Sequence, residues 1–167
     1  MSLFEPIFLA LNDAGARYVV VGGLATVLHG YARLTVDVDL VVDLAPDRAR
    51  TTIDTLLALG FQSRVPVDAV DFADPVVRRR WIDEKGMQVF SLVDRDNPMR
   101  VIDLFVEEPM DFEGLWARAE LMPLSSTTVR VASLDDLIAL KRQAGRPRDL
   151  DDIAQLERIR QKRDEKA

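Results

Sequence analysis

The side chains of this sequence that could do chemistry include two aspartates placed two positions apart. Asp37 and Asp39 lie in an otherwise apolar, strand-like segment that reads TVDVDLVVD. Successive side chains of a strand point to opposite faces, so both carboxylates project from one face and the intervening valines and leucine from the other. Neighbouring like charges raise each other's proton affinity unless a cation or water separates them. The pattern is typical of a Mg²⁺ site, and also of the polar outer face of a half-exposed strand.

A third aspartate, Asp103, lies in another strand-like segment, RVIDLFVE. Its neighbours on the same face are Val101 and Phe105, so this face does not resemble a solvent face and the carboxylate needs a partner. If this strand pairs beside the one with Asp37 and Asp39, three carboxylates meet at one place. Such a set is sufficient for the two-metal arrangement that stabilises the attacking and leaving oxygens of phosphoryl transfer.

A pair of glycines, Gly22 and Gly23, follows a β-branched run and precedes residues that favour a helix. Glycines at such a turn let backbone N–H groups approach an anion, for example a triphosphate. Glycines also end strands for steric reasons, and the sequence contains neither a G-x-G-x-x-G nor a G-K-[ST] phosphate loop. The glycine pair therefore indicates a phosphate site only in combination with the motifs around it.

The composition limits the cofactors. There is no Cys and one His, which excludes disulfides, thiol catalysis and zinc sites built from Cys and His ligands. A metal would be held by carboxylates, which favours Mg²⁺ or Mn²⁺. The net charge of −6 argues against a broad nucleic-acid footprint. The basic runs VVRRRW and KRQAGRPRDL are more typical of solvated faces than of binding sites.

The elements that must position these residues follow from periodicity and turn signals. With 167 residues, 48% of them hydrophobic, we expect one domain with an apolar core and a mixed α/β or α+β architecture. No apolar run reaches the roughly 18 residues of a membrane span and no signal peptide is visible, so we expect a cytoplasmic protein without a membrane partner. We expect helices over residues 2–14, 24–30, 46–59, 111–119, 134–145 and 148–160, followed by a frayed tail. We expect strands over residues 17–23, 35–43, 76–83, 86–94, 100–107 and 127–133. The third and fourth of these strands are expected to form a hairpin.

Taken together, the strand, the Gly22–Gly23 turn, the short helix, GYARLTVDVDL and the later VIDLF resemble the nucleotidyltransferase superfamily of DNA polymerase β type. Its signature is a G-[GS] turn, a D-x-D strand and a third acid on a neighbouring strand. Within it, Arg33, Thr35 and the C-terminal DLIALKRQAGRPRDLDDI are similar to the AbiEii-type toxins and their small relatives, whose late motifs contain K-x-x-A and R-D. The resemblance covers residues 18–43, 100–106 and 133–156.

The resemblance implies a mixed β-sheet nucleotidyltransferase fold flanked by helices, as a single domain over residues 1–167. Its core would span about residues 16–132 and its C-terminal helical part about residues 133–162. It also implies Mg²⁺-dependent transfer of a nucleoside monophosphate from an NTP to an acceptor hydroxyl on tRNA, a protein or a small molecule such as an aminoglycoside. A toxin–antitoxin or phage-defence role, with an antitoxin partner, is implied too. The alternatives are a non-catalytic antitoxin-like or regulatory member of the fold and a Mg²⁺-dependent phosphohydrolase.

Site residues are implied by the resemblance position by position. Asp37 and Asp39 would bind the metal ions with the phosphates of the nucleotide, and Asp103 would hold the catalytic metal and help to deprotonate the acceptor. Lys141 and Asp149 match a lysine and an aspartate that are important for activity in the family. The implied nucleotide-binding residues are Gly22, Gly23, Arg33, Thr35 and Lys141. Where many members have Ser, this chain has Gly23, which removes a hydroxyl contact to phosphate.

Helical spacing supports the two C-terminal residues independently of the resemblance. Lys141 follows Leu137 by four residues and Ile138 by three, so it projects from the apolar stripe of its helix. Asp149 shares a stripe with Ile153 in the last helix. The two side chains could belong to a catalytic site or could pair as a structural salt bridge.

Overall fold

The computed structural model describes residues 3–167, so residue 2, where the first predicted helix was expected to begin, lies outside the described residues. The strands are β1 Tyr18–Val21, β2 Asp37–Val42, β3 Phe61–Ser63, β4 Val89–Asp94, β5 Val101–Phe105, β6 Glu120–Pro123 and β7 Thr128–Val131. The helices are α1 Glu5–Asp13, α2 Gly22–Leu28, α3 Pro46–Ala58, α4 Pro75–Lys85, α5 Phe112–Arg118, α6 Leu134–Ala144 and α7 Pro147–Lys166, with a 3₁₀ helix at Ala69–Ala73.

The seven strands form a single mixed sheet in the order β3-β4-β5-β2-β1-β7-β6. Parallel pairing joins β2 to β5 and β1 to β7, and the other four neighbouring pairs are antiparallel. Because β2 and β5 are adjacent, the two strands that carry the three candidate aspartates lie side by side. The mixed sheet with helices before, between and after its strands confirms the fold class predicted from the sequence.

Alternation along β2 separates the core from the candidate site. Val38 and Leu40 point into the core and have no exposed surface. Asp37 and Asp39, which project from the opposite face of the strand, are half-buried. Burial of the apolar face fixes the register of this strand, since a slip of one residue would place both aspartates in the core.

The predicted hairpin is wrong in its first half, because Pro75–Lys85 forms α4. The start of this helix is set by the proline at its first position and by Asp74, whose side chain accepts a hydrogen bond from the N–H of Val76. Its end is set by Gly86, which has a φ of 59°. Within α4 only two residues are buried, so the sequence shows no apolar stripe that would reveal a helix.

Four further features differ from the expectation. The edge strands β3 and β6 were not predicted, because they are only three and four residues long and depend on pairing with β4 and β7. The 3₁₀ helix was not predicted either. The predicted frayed tail is helical, since α7 extends to Lys166 and its charged end is attached to the body by ion pairs from Arg160 to Asp135 and from Arg163 to Glu120. Although α7 spans 20 residues, no helix within residues 3–167 is long and apolar enough to cross a membrane.

Candidate active site

The three candidate carboxylates lie on one face of the sheet. In the parallel pairing of β2 with β5, Asp39 lies beside Asp103 and Asp37 beside Val101. Asp37 and Asp39 share a face because they are two residues apart in the strand. The side chain of Asp103 accepts a hydrogen bond from the hydroxyl of Ser91, its partner in β4. The predicted pairing of the two strands is therefore confirmed, and we call Asp37, Asp39 and Asp103 the acidic face.

The electrostatics of the acidic face disfavour its negative charges. Burial, followed by the charges of Asp103 and Asp37, raises the pKa of Asp39 to about 6, against the opposing effect of Arg146 and Lys141. Burial also raises the pKa of Asp103, as does the charge of Asp37, while the hydrogen bond from Ser91 opposes the shift. Nearby cations thus compensate the acidic face incompletely, and an additional cation would stabilise its ionised form.

The donor chemistry of the acidic face fits Mg²⁺ or Mn²⁺. These hard cations prefer oxygen ligands, and Mg²⁺ is usually bound through one or two carboxylates together with water and substrate phosphates. Within residues 3–167, no three His, Asp or Glu side chains are gathered into a ready-made ligand group. Carboxylates on two adjacent strands therefore offer part of a coordination shell, which phosphates of a bound nucleotide can complete.

The glycine turn at the start of α2 is in contact with the acidic face. Gly22 has a φ of 68°, and a Cβ at this position would lie 2.1 Å from Oδ2 of Asp39. A Cβ at Gly23 would lie 2.9 Å from Oγ1 of Thr35 and 3.4 Å from Nη2 of Arg33. Four of the predicted nucleotide-binding residues therefore meet at one place beside Asp39, and the turn excludes larger side chains because carboxylate, hydroxyl and guanidinium groups occupy the space.

Lys141 and Asp149 lie in a buried group of charges between α6 and α7. The ammonium group of Lys141 is 2.8 Å from Oδ2 of Asp152 and 3.8 Å from Oδ1 of Asp149. Asp149 accepts hydrogen bonds from the backbone N–H and the guanidinium of Arg146. Burial acts to raise the pKa of Asp149, but these hydrogen bonds and the charges of Arg146 and Lys141 bring it below its ordinary value. The predicted ion pair is present, and a second carboxylate is closer to the lysine than the predicted one.

That second carboxylate, Asp152, is a residue that the sequence reasoning missed. It is 3% exposed and forms a salt bridge with Arg33 as well as with Lys141. The signal was present in the sequence, because Asp152 follows Asp149 by three residues and precedes Leu156 by four, on the same stripe of α7. We call the five residues that interact here the charged cluster: Arg33, Lys141, Arg146, Asp149 and Asp152.

Several cations of the two basic runs have partners within the protein. In the first run, Arg78 is buried and donates hydrogen bonds to the backbone carbonyls of Phe72 and Leu44. It therefore does not belong to a solvated face. In the second run, Lys141 and Arg146 belong to the charged cluster, and Arg142 forms an ion pair with Glu157.

Comparison with known sequences and structures gives three kinds of result. A sequence profile of the family described as "Nucleotidyl transferase AbiEii toxin, Type IV TA system" matches residues 7–167. No curated protein matches the sequence. The fold is similar to that of several solved structures, all of them distant in sequence.

One similar structure is the lincosamide antibiotic adenylyltransferase LnuA with bound lincomycin, with a TM-score of 0.60, 16% identity, and coverage of 94% of this chain and 95% of the other. A nucleotidyltransferase of Thermotoga maritima gives a TM-score of 0.57 at 14% identity, covering 98% and 92% of the two chains. ANT(2'')-Ia in complex with adenylyl-2''-tobramycin gives 0.55 at 16% identity, covering 99% and 98%. At these identities the similarity establishes a shared fold.

Proposed function

Because the chain belongs to the AbiEii nucleotidyltransferase family, we propose that it transfers a nucleoside monophosphate from an NTP to an acceptor hydroxyl with release of pyrophosphate. The observation that carries the proposal is the acidic face, where Asp39 lies beside Asp103 and Asp37 projects from the same side. The raised pKa of Asp39 supports it, since incompletely compensated carboxylates attract a divalent cation. The glycine turn against Asp39 supports placing the phosphates of the NTP here.

The proposed division of labour follows the contacts of each side chain. Asp37, Asp39 and Asp103 would hold Mg²⁺ or Mn²⁺, and the bound metal supplies charge neutralisation to the phosphates during transfer. The acceptor hydroxyl oxygen forms a bond to the α-phosphorus as the bond from that phosphorus to the pyrophosphate oxygen breaks. Asp103, oriented by the hydrogen bond from Ser91, receives the hydroxyl proton.

The phosphates of the nucleotide would be bound by groups that surround the glycine turn. The absence of Cβ atoms at Gly22 and Gly23 lets Asp39, Thr35 and Arg33 lie against the turn, so phosphates bound at its backbone N–H groups would lie beside these side chains. The hydroxyl of Thr35 and the guanidinium of Arg33 lie over Gly23 and are available as donors from the opposite side. Lys141 would add positive charge from α6, and its opposing effect on the raised pKa of Asp39 supports this role.

The acceptor is proposed to be a hydroxyl of tRNA, of a protein or of a small molecule. LnuA and ANT(2'')-Ia, whose structures contain lincomycin and adenylyl-2''-tobramycin, support a small-molecule acceptor by similarity of fold. The description of the family as a toxin of a type IV system supports a toxin role with an antitoxin as partner, and we propose the cytoplasm as its location.

Two measurements on the same protein test the proposal. Calorimetry with each NTP in the presence of Mg²⁺ is expected to show binding by the wild type and a large loss in Asp39→Ala. Labelled NTP incubated with total RNA, total protein and an aminoglycoside is expected to leave label on one of these acceptors. Binding without label transfer would favour the non-catalytic alternative, and release of phosphate without transfer would favour a phosphohydrolase. Absence of binding to every NTP would contradict the proposal.

A further inference from the structure

The carboxylate of Asp152 connects two cations that come from separate parts of the chain. Lys141 belongs to α6 and Arg33 to the segment between α2 and β2, and both donate to the same oxygen, Oδ2 of Asp152. All three side chains are largely withdrawn from solvent, since the exposed fractions of the side chains alone are 25%, 5% and 4% for Arg33, Lys141 and Asp152. A buried carboxylate with two charge-assisted bonds on one oxygen fixes the position of both donors.

The segment that carries Arg33 depends on α7 for its position. Residues 31–36 contain no helix or strand, and Leu34 within it is 89% exposed. Two neighbouring aspartates of α7 contact it, because the hydroxyl of Tyr31 donates to Asp151 at 2.8 Å and Arg33 pairs with Asp152. We call residues 31–36 the connecting loop. It leads directly into β2, so its position affects where the strand with Asp37 begins.

We propose that Asp152 is a positioning residue of the nucleotidyltransferase site, which attaches the connecting loop to α7, holds Arg33 beside the Gly22–Gly23 turn and fixes the ammonium group of Lys141. The proposed role at catalysis rests on the function proposed above, whereas the attachment of the loop is a property of the fold alone. Arg33 is the link, since its Nη1 is bonded to Asp152 and its Nη2 lies over Gly23. Without the carboxylate, the guanidinium loses the partner that aims it at the turn.

Removal of the charge would affect both donors together. In Asp152→Asn, one amide oxygen replaces a carboxylate that accepts from two cations, and the amide nitrogen cannot accept at all. Arg33 and Lys141 then share one neutral acceptor. Since Asp149 is 3.8 Å from the lysine and already accepts three bonds from Arg146, it is poorly placed to replace Asp152.

Limited digestion with trypsin tests the attachment of the loop without any nucleotide. Trypsin cleaves after arginine, and the Arg33–Leu34 bond lies in the connecting loop. We expect cleavage at this bond to be about tenfold faster in Asp152→Asn than in the wild type, the effect of losing one charge-assisted bond. The matched control is Glu157→Gln, which removes another α6–α7 ion pair and should leave this cleavage unchanged. Equal cleavage in Asp152→Asn and wild type would overturn the proposal.

Nucleotide binding tests the consequence for the site. We expect Asp152→Asn to weaken Mg²⁺–NTP binding by about 10- to 100-fold, as is typical when a residue that orients a ligand is removed, with little change in Glu157→Gln. In the Lys141→Gln background the same change should cost much less, because Asp152 acts partly through Lys141. Full additivity of the two substitutions, or unaltered binding in Asp152→Asn, would overturn the positioning role.

Two other outcomes need their own controls: a variant that does not fold, and a wild type that binds no NTP. If circular dichroism shows that Asp152→Asn does not fold, Asp152→Glu keeps the charge and displaces the carboxylate by one methylene, and is expected to accelerate the same cleavage by a smaller factor. Unchanged cleavage in this variant overturns the proposal. If the wild type binds no NTP, the proposed function fails, and the digestion result still decides whether Asp152 holds the loop.

Discussion

The acidic face and the charged cluster contain aspartates in opposite electrostatic situations. On the acidic face, burial and mutual repulsion raise the pKa of Asp39 to about 6. In the charged cluster, hydrogen bonds from Arg146 and the charge of Lys141 outweigh burial and lower the pKa of Asp149. Burial alone therefore does not decide the direction in which the pKa of an aspartate shifts. The two regions differ in the number of cationic side chains near each aspartate. In the charged cluster they outweigh the effect of burial, whereas at the acidic face they do not.

The two regions should also contribute to stability with opposite signs. A carboxylate whose pKa is raised by folding destabilises the folded state when it is ionised, whereas one whose pKa is lowered stabilises it. Substitution by asparagine, which removes the charge and preserves the shape, should then stabilise the protein at one site and destabilise it at the other. If the acidic face is catalytic as proposed, its function and its stability are in conflict there.

The largest effect is expected on catalysis at the acidic face. Asp103→Asn should lower the rate of label transfer from NTP by about a thousandfold, the scale seen when a group that stabilises the charge of a transition state is removed. The assay compares initial rates at saturating NTP. Ser91→Ala, which removes only the hydrogen bond to Asp103, should retain more activity, and a smaller loss in Asp103→Asn than in Ser91→Ala would contradict the assignment.

In the charged cluster the largest effect is expected on folding. Asp149→Asn removes the charge of a buried carboxylate that pairs with the buried Lys141 and with the more exposed Arg146, and should lower the free energy of unfolding by about 3–4 kcal/mol. Urea titration at neutral pH measures it. The control is Asp135→Asn, which removes an exposed ion pair with Arg160 and should change stability by less than about 1 kcal/mol. A similar loss in the two variants would show that burial of the pair has no special effect.

At the acidic face the same kind of substitution should stabilise the fold. Asp39→Asn removes a group whose pKa rises from its ordinary value of 3.8 to about 6, and should raise the free energy of unfolding by about 3 kcal/mol at pH 7.5 in EDTA. As the pH falls through 6 towards 4, the wild-type carboxylate becomes protonated and the difference should disappear. Urea titrations of both proteins across this range check the sign. A variant less stable than the wild type at pH 7.5 would contradict it.

A smaller effect is expected where the two regions meet, at Gly23. Gly23→Ser should weaken NTP binding about tenfold, because its Cβ would lie 2.9 Å from the hydroxyl oxygen of Thr35 and push it aside. In the double variant Gly23→Ser with Thr35→Ala the clash is relieved and a hydroxyl is restored, so binding should recover. Calorimetry with Mg²⁺ and the preferred NTP compares the three proteins. If the double variant binds no better than Gly23→Ser alone, contact with Thr35 is not the cause.

Much of the acidic face could be predicted because it depends on local patterns. The two-residue spacing of Asp37 and Asp39 sets their shared face, and the apolar neighbours of Asp103 indicate that it needs a partner. The pairing of the two strands was a conditional prediction that the register of β2 with β5 confirms. Catalytic roles at this face remain predictions for the experiments above.

The charged cluster was predicted only in part, since its contacts join residues far apart in the chain. Helical spacing placed Lys141 and Asp149 on buried stripes, and they are 5% and 1% exposed. The same spacing applies to Asp152, but its partner Arg33 is 119 residues away and no local pattern indicates that pair. The prediction of α4 as a strand was wrong for a different reason, since here a local pattern was present and was misleading. There, β-branched and aromatic residues favoured a strand, and the helix is set by its caps and by packing of Trp81 on Phe90.

Divalent-cation binding tests the central claim most directly. Free Mn²⁺ measured by electron paramagnetic resonance, with and without each NTP, reports whether the acidic face takes up the metal together with a nucleotide. We expect the wild type to bind Mn²⁺ in the presence of its NTP, and Asp39→Asn to lose this binding while remaining folded and more stable. Equal uptake of Mn²⁺ by the two proteins would contradict the account.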